Sequence, residues 1–205
     1  NRLQTDPQYR KDFQEKIRPI AEQFAAQTEG AMGFYLRYNP TFSEPTSGLF
    51  YADTENDGNI RSLTPTDFSQ FDKDDAANVG WYYIPMNEGK PTWMDPYVND
   101  NIGVEMISYV IPLMKDGVEV GVVGMDIRFD IFSEAVAEMK PHDSSYGMLL
   151  NRNKQFLIHP SVDQLTDISE RDKTIAQKMD ETPSDVLSLK VDKEPMIVSY
   201  SKLAN

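Results

Sequence analysis

With 205 residues, 40% hydrophobic content and 11% aromatic content, the chain has the make-up of a folded protein and room for one large domain or two small ones. Its net charge of −13 excludes a nucleic-acid surface, since nothing here neutralises phosphates; the same charge keeps a protein soluble and concentrates cationic ligands near it. The absence of cysteine excludes disulfides, thiolate metal sites and cysteine nucleophiles, and fits a bacterial protein outside the cytosol.

No run approaches the ~18 apolar residues of a membrane span, and no signal peptide is visible. The chain opens on Asn1 and stops at Leu203-Ala204-Asn205 without a finished element, so it reads as a piece of a longer protein, whose remainder has room for membrane segments.

Tyr9, Phe13, Ile17, Ile20 and Phe24 are spaced by 4, 4, 3 and 4 residues, which predicts a helix with these side chains on its buried face. Asp6-Pro7 starts it, Gly30 closes it, and Pro19 is expected to kink it. The next hundred residues read as strands and turns. Gly33–Tyr38 and Gly48–Asp53 are strand candidates, and Asp57-Gly58, Glu88-Gly89 and Asp116-Gly117 are hairpin-type turn signals. Strands Glu105–Pro112 and Val118–Ile127 flank the last turn and are expected at the centre of an antiparallel sheet. Ile131, Phe132, Val136 and Met139 mark a short helix ended by Pro141. A smaller cycle follows: strands Tyr146–Asn151 and Gln155–His159, helix Ser169–Met179, and strands near Val186–Val191 and Met196–Tyr200. The expected class is α+β, with a long N-terminal helix carrying two antiparallel-sheet modules.

Trp81, Tyr82, Trp93 and Tyr97 crowd together beside the polar Asp95, Asn99, Asp100 and Asn101. Such rings either wall a pocket for a small ligand or simply pack a β-rich core. Asp126 is the sharpest residue. Alternation puts it on one face of an apolar strand together with Gly124, which leaves space for a ligand to approach. Its carboxylate either accepts hydrogen bonds from a ligand's ammonium, amide or hydroxyl, or pairs with Arg128 on the same face.

The remaining motifs have plainer readings. Asp53–Gly58 begins like a calcium loop but places Thr64 where the bidentate Glu belongs, so it reads as a hairpin tip. Asp72, Asp74 and Asp75 read as a solvated loop, and His142 and His159 lack zinc-type spacing and read as structural. There is no nucleophile elbow, Walker loop or dinucleotide fingerprint, so neither catalysis nor a cofactor is indicated. A hydrolase using Asp95 and Asp126 would need both around one scissile bond, and nothing places them so.

Gly80-Trp81-Tyr82-Tyr83, Lys90-Pro91-Thr92-Trp93, Asp95-Pro96-Tyr97, Met106-Ile107-Ser108-Tyr109 with Pro112, and Gly121–Ile127 together resemble the double Cache sensor domain. This is the PAS-like extracytoplasmic module of bacterial chemoreceptors, sensor histidine kinases and diguanylate cyclases. The resemblance implies an N-terminal helix over 1–29, a membrane-distal module with the ligand pocket over 30–140, and a membrane-proximal module over 141–205. It implies a membrane-anchored whole protein, a small-molecule ligand and possible pairing of two copies through the N-terminal helix. It carries ligand roles onto Trp81, Tyr82, Tyr97, Asn99 and Asp126, with Trp93, Tyr109 and Tyr51 as further lining. The amino-acid-binding branch has an Arg two residues before the Trp; here that position is Val79, which argues against a standard α-amino acid. The implied ligand is a small polar metabolite: an amine, an amide or heterocycle, or a short acid. The alternative is a structural or protein-binding ectodomain whose pocket is filled by its own side chains.

Overall fold

The computed structural model describes residues 2–28, 30–55, 57–99, 103–171, 173–191 and 194–203. The chain divides into two compact units, Asn1–Phe132 and Ser133–Asn205.

The first unit opens with α1 (Arg2–Thr5) and α2 (Pro7–Gln27). The Asp6 carboxylate accepts from the Tyr9 amide, and Pro7 occupies the first turn, where a missing N–H costs nothing. α2 continues through Pro19 and is capped by Thr28, whose amide donates to the Phe24 carbonyl, ahead of Gly30. Its buried face is rotated from the expected one. Ile20 and Phe24 are 68% and 49% exposed, whereas Arg10, Ala21 and Ala25 are buried. The small Ala21 lets the helix lie close against Leu36, Tyr38, Leu49 and Tyr51, with Ile17 packed beside it, while Ile20 is turned outward and Phe24 lies edge-on to Phe34.

The sheet runs in the order β3 (Arg61–Ser62), β2 (Gly48–Ala52), β1 (Ala31–Tyr38), β7 (Val118–Arg128), β6 (Val104–Lys115), β4 (Thr92–Trp93), with β5 (Tyr97–Asn99) also paired to β6. All these pairings are antiparallel. β6 and β7 turn at Asp116-Gly117, as the turn signal predicts, and form the long central pair. Asp53–Gly58 belongs to the β2–β3 connection, where the Asp53 carboxylate accepts from the amides of Asp57 and Gly58.

Register sorts the side chains. Asp126 lies opposite Gly33 on β1 and Ser108 on β6; Gly124 lies opposite Tyr35 and Val110. These residues therefore share one face, and Phe34, Leu36 and Tyr51 share the other, which α2 covers.

The Asp126 face is covered by α3 (Ala76–Glu88), a helix where strands and turns were expected. Gly80, Pro85 and three consecutive aromatics at 81–83 all lower helix propensity, and the packing overrides them. Val79, Tyr82 and Met86, with Trp81 and Pro85, recur at helical spacing and are buried. The start is set by Asp75, whose carboxylate accepts from the Asn78 amide, so this residue is a cap and not part of a solvated loop. Glu88-Gly89 is the helix end and not a hairpin: Gly89 adopts the left-handed conformation (φ 64°) and its amide donates to the Pro85 and Met86 carbonyls.

After α4 (Phe129–Ala137), the second unit contains β8 (Leu149–Leu150), β9 (Phe156–Ile158), α5 (Ile168–Arg171), α6 (Lys173–Glu181), β10 (Ser184–Val191) and β11 (Glu194–Ser201). β8 pairs with β9, and β10 with β11. Its core is Phe156, Ile168, Ile175, Ala176 and Val198. The strand expected over 146–151 is reduced to two residues, and the helix expected over 169–179 falls on α5 and α6, between which residue 172 lies outside the described residues. His159 packs its ring against Tyr146 and Phe156, and its Nδ1 accepts from the Ser161 amide.

A Cβ at Gly124 would stand 2.3 Å from Cζ of Tyr35. Gly124→Ala is expected to lower stability by about 1–3 kcal/mol through overpacking. Urea denaturation of this variant, Tyr35→Ala and the double variant checks it: the double variant is expected to lose less than the sum of the singles.

Candidate ligand site

Asp126 sits on β7, in the middle of the sheet, with no exposure to solvent. Ser108, directly across on β6, donates its hydroxyl hydrogen to Oδ1. The Tyr97 hydroxyl lies 2.9 Å from Ser108 Oγ and donates to it, because the serine hydrogen is already committed. Oδ2 is buried and has no hydrogen-bond partner among the described residues, and neither has the Tyr35 hydroxyl. Gly33 makes room for this carboxylate, since a Cβ there would fall 2.8 Å from Oδ2.

Burial pushes the Asp126 carboxyl up to about 6, against a smaller downward pull from the Ser108 hydrogen bond. Burial, reinforced by the Asp126 charge, raises Tyr35 and Tyr97 well above the usual phenol range. At neutral pH the site is therefore a carboxylate, mostly ionised, surrounded by protonated hydroxyls.

Asp126, Tyr97 and Tyr35 line one side of a cavity of about 10 Å³, and Trp81, Phe50, Thr66 and Arg37 line the rest. That is room for roughly one water. The space expected beside Gly124 is taken by the Tyr35 ring. Trp81 closes the site from α3: its ring meets Tyr35 edge-on at 4.8 Å, and its indole N–H donates to the Asn78 carbonyl.

Of the residues expected to line the site, Trp81, Tyr97 and Asp126 come together. Tyr82 is buried behind Trp81, against Phe68 and Tyr83. Tyr51 is on the opposite face of the sheet, where its hydroxyl bonds Arg18 and Glu22 of α2. Trp93 and Tyr109 pack on each other at 4.8 Å on that opposite face, one residue out of phase with Ser108 and Val110. Strand alternation thus takes Tyr51, Trp93 and Tyr109 out of this cavity. Asn99 pairs with Val104 through its backbone; its side chain, and Asp100 and Asn101, lie outside the described residues. Arg128 pairs with Asp130 and not with Asp126.

Tyr35, Arg37, Phe50 and Thr66 are the lining residues that sequence reasoning missed, and for the first two a signal was present. The available signal was the alternation Gly33-Phe34-Tyr35-Leu36-Arg37, which carries a charge on the same strand face as a glycine and a phenol. Arg37 is 1% exposed. Its Nε donates to the Ser47 carbonyl and its Nη2 to those of Pro45 and Thr66, and the guanidinium lies 4.2 Å over the Phe68 ring. Burial draws it down to about 10.

Residues 17–134, more than half of the chain, match the family described as methyl-accepting chemotaxis protein-like, first PDC sensor domain, and the chain belongs to that family. Methyl-accepting chemotaxis protein PscA of Pseudomonas syringae pv. tomato is 24% identical over 163 residues, 79% of this chain. The chain spans a quarter of that relative's length. Among solved structures, the extracellular domain of the histidine-kinase-type protein mmHK1S-Z3 covers 92% of this chain and 74% of its own, with a TM-score of 0.65 at 18% identity. The ligand-binding domain of the Pseudomonas aeruginosa amino acid chemoreceptor PctB, in complex with L-Arg, covers 91% and 70%, with a TM-score of 0.55 at 19% identity. The fold is that of extracytoplasmic sensor domains.

The raised Asp126 carboxyl has a stability consequence with a definite sign. The folded state holds this proton up to about 6, whereas an unfolded Asp releases it near 3.8, so stability falls as pH rises through that window. Asp126→Asn is expected to be more stable than the parent by about 3 kcal/mol above pH 6 and close to it below pH 4. Denaturant titrations at several pH values check this; a gap that does not change with pH would contradict it.

Proposed function

We propose that the first unit is the ligand-sensing part of a bacterial transmembrane receptor and holds a small polar metabolite with Asp126 as its anchor. The observation that carries this reading is the Asp126 Oδ2 atom, buried and without a hydrogen-bond partner among the described residues, on a residue that lines a cavity together with Trp81, Tyr97 and Tyr35. A buried carboxylate oxygen left without a donor costs free energy, and a ligand N–H or O–H recovers that cost on binding. The ligand is accordingly donor-bearing: an amine, an amide or heterocycle, or an amino or hydroxy acid. The complex of PctB with L-Arg supports an amino-bearing guest. The buried Val79 removes the carboxylate clamp of the amino-acid branch.

In this reading the receptor is membrane-anchored through other parts of the protein; no helix among the described residues is long and apolar enough to cross a membrane. The exposed Ile20 and Phe24 of α2 offer an apolar stripe through which two copies would pair. Binding shifts the receptor between two arrangements only by its differential affinity for them. Here the difference is built in, because the small cavity has to open before a metabolite fits. That same small volume favours a second reading, a protein-binding ectodomain whose site is filled by its own side chains.

The two readings separate by experiment. Mass spectrometry of protein purified under mild conditions identifies a retained metabolite, and calorimetry then measures it against Asp126→Ala. The variant is expected to bind about 10- to 100-fold more weakly, the loss of a hydrogen bond to a charged group. Affinity equal to the parent's would remove Asp126 from the site. No thermal stabilisation by any metabolite at rising concentration would favour the filled-pocket reading.

A further inference from the structure

We propose that Arg37 is a second anchor in the same site. It receives the carboxylate of the ligand whose donor end Asp126 holds, and so selects a chain with amine and carboxylate far apart over an α-amino acid. This rests on the Asp126 reading above and adds the ligand class to it.

Three observations carry the inference. A guanidinium has five N–H donors. In Arg37 the Nε hydrogen goes to Ser47 and the two on Nη2 go to Pro45 and Thr66, which leaves both hydrogens of Nη1 without an acceptor among the described residues. All three acceptors are neutral carbonyls, so a cation 1% exposed stands in the protein with no carboxylate of the described residues in contact. Asp67 acts on it only from a distance, and its Oδ1 is occupied by the amide and hydroxyl of Ser69. The Phe68 ring at 4.2 Å and the Trp81 ring at 5.9 Å hold the planar group and offset part of its desolvation, but supply no negative charge. Finally, Arg37 and Asp126 line one cavity, so one buried cation and one buried anion face the same small space without meeting.

Spacing then sets the ligand class. Gly33 stands opposite Asp126, and Arg37 is four residues further along β1 on the same face, with Tyr35 between them. At the rise of a β-strand the two anchor points are roughly 13 Å apart on the backbone. An α-amino acid carries ammonium and carboxylate on one carbon, the shortest span between the two charges. An ω-amino carboxylate, with several methylene groups between them, lies along the strand with its apolar stem over Tyr35 and under Trp81. Trp81 touches Tyr35 and lies near Arg37, so it is the wall that has to shift to admit such a guest.

The test is calorimetry on the wild-type chain, Arg37→Gln, Arg37→Lys and Asp126→Asn. The probes are γ-aminobutanoate, δ-aminopentanoate and ε-aminohexanoate, the n-alkylamines that lack only their carboxylates, and α-aminobutanoate. Wild type is expected to bind the best ω-amino carboxylate at least about 10-fold tighter than its matched amine, as a charge-assisted pair requires, and tighter than α-aminobutanoate. In Arg37→Gln that ratio is expected to fall to about one while the amine affinity stays, which also shows the variant is folded; Arg37→Lys is expected to keep an intermediate ratio. A ratio near one in wild type, a ratio unchanged in Arg37→Gln, a preference for α-aminobutanoate, or no binding of any probe overturns the inference. If Arg37→Gln fails to fold, Arg37→Lys and the wild-type ratio decide. Amine affinity unchanged in Asp126→Asn is instead the failure of the anchor itself, whatever Arg37 does.

Discussion

A carboxylate with no access to water, on the central strand of a sheet, has to be held by its neighbours. In this protein one oxygen is held and the other is not. Ser108 satisfies Oδ1 from the facing strand, and Tyr97 in turn supports Ser108, so the acid is fixed in place by a short chain of hydroxyls. The other oxygen is enclosed without a donor. Much of the local sequence is explained by keeping it that way. Gly33 is small because a side chain would strike Oδ2, and Gly124 is small because Tyr35 lies across it. The α3 helix closes the lid with Trp81. The buried charge costs the free protein about 3 kcal/mol on the scale of its shifted proton affinity. A ligand that supplies the missing donor recovers that cost.

The sheet separates two tasks by the parity of its strands. One face carries Tyr35, Arg37, Ser108 and Asp126 and is covered by an aromatic helix; the other carries Leu36, Tyr38 and Tyr51 and is covered by α2 through its alanines. Aromatic rings that look equivalent in sequence fall on different sides. Trp81 and Tyr97 line the cavity with the acid, while Trp93 and Tyr109 pack on each other one residue out of phase.

The cavity beside the two buried, opposite charges has room for about one water. Opening costs the contacts of Trp81 with Tyr35 and Phe68, and only a ligand that satisfies the charges offsets them. On the proposed function, recognition is coupled to a displacement of α3.

Sequence alone determined the α+β class, the N-terminal helix and its Asp6-Pro7 start, the β6–β7 hairpin, the burial of Asp126 and the likeness to sensor domains. These are legible because periodicity, turn chemistry and the cost of an acid in an apolar strand are local properties. It misread the segment 76–88, where local propensity favours strand and turn but Asp75, Gly89 and a buried helical face win. It assigned Tyr51, Trp93 and Tyr109 to a site on the opposite side of the sheet, and it passed over Arg37. Those outcomes depend on register: which residue faces which across strands distant in the chain decides whether an aromatic points at Asp126 or away from it, and no local pattern encodes that pairing.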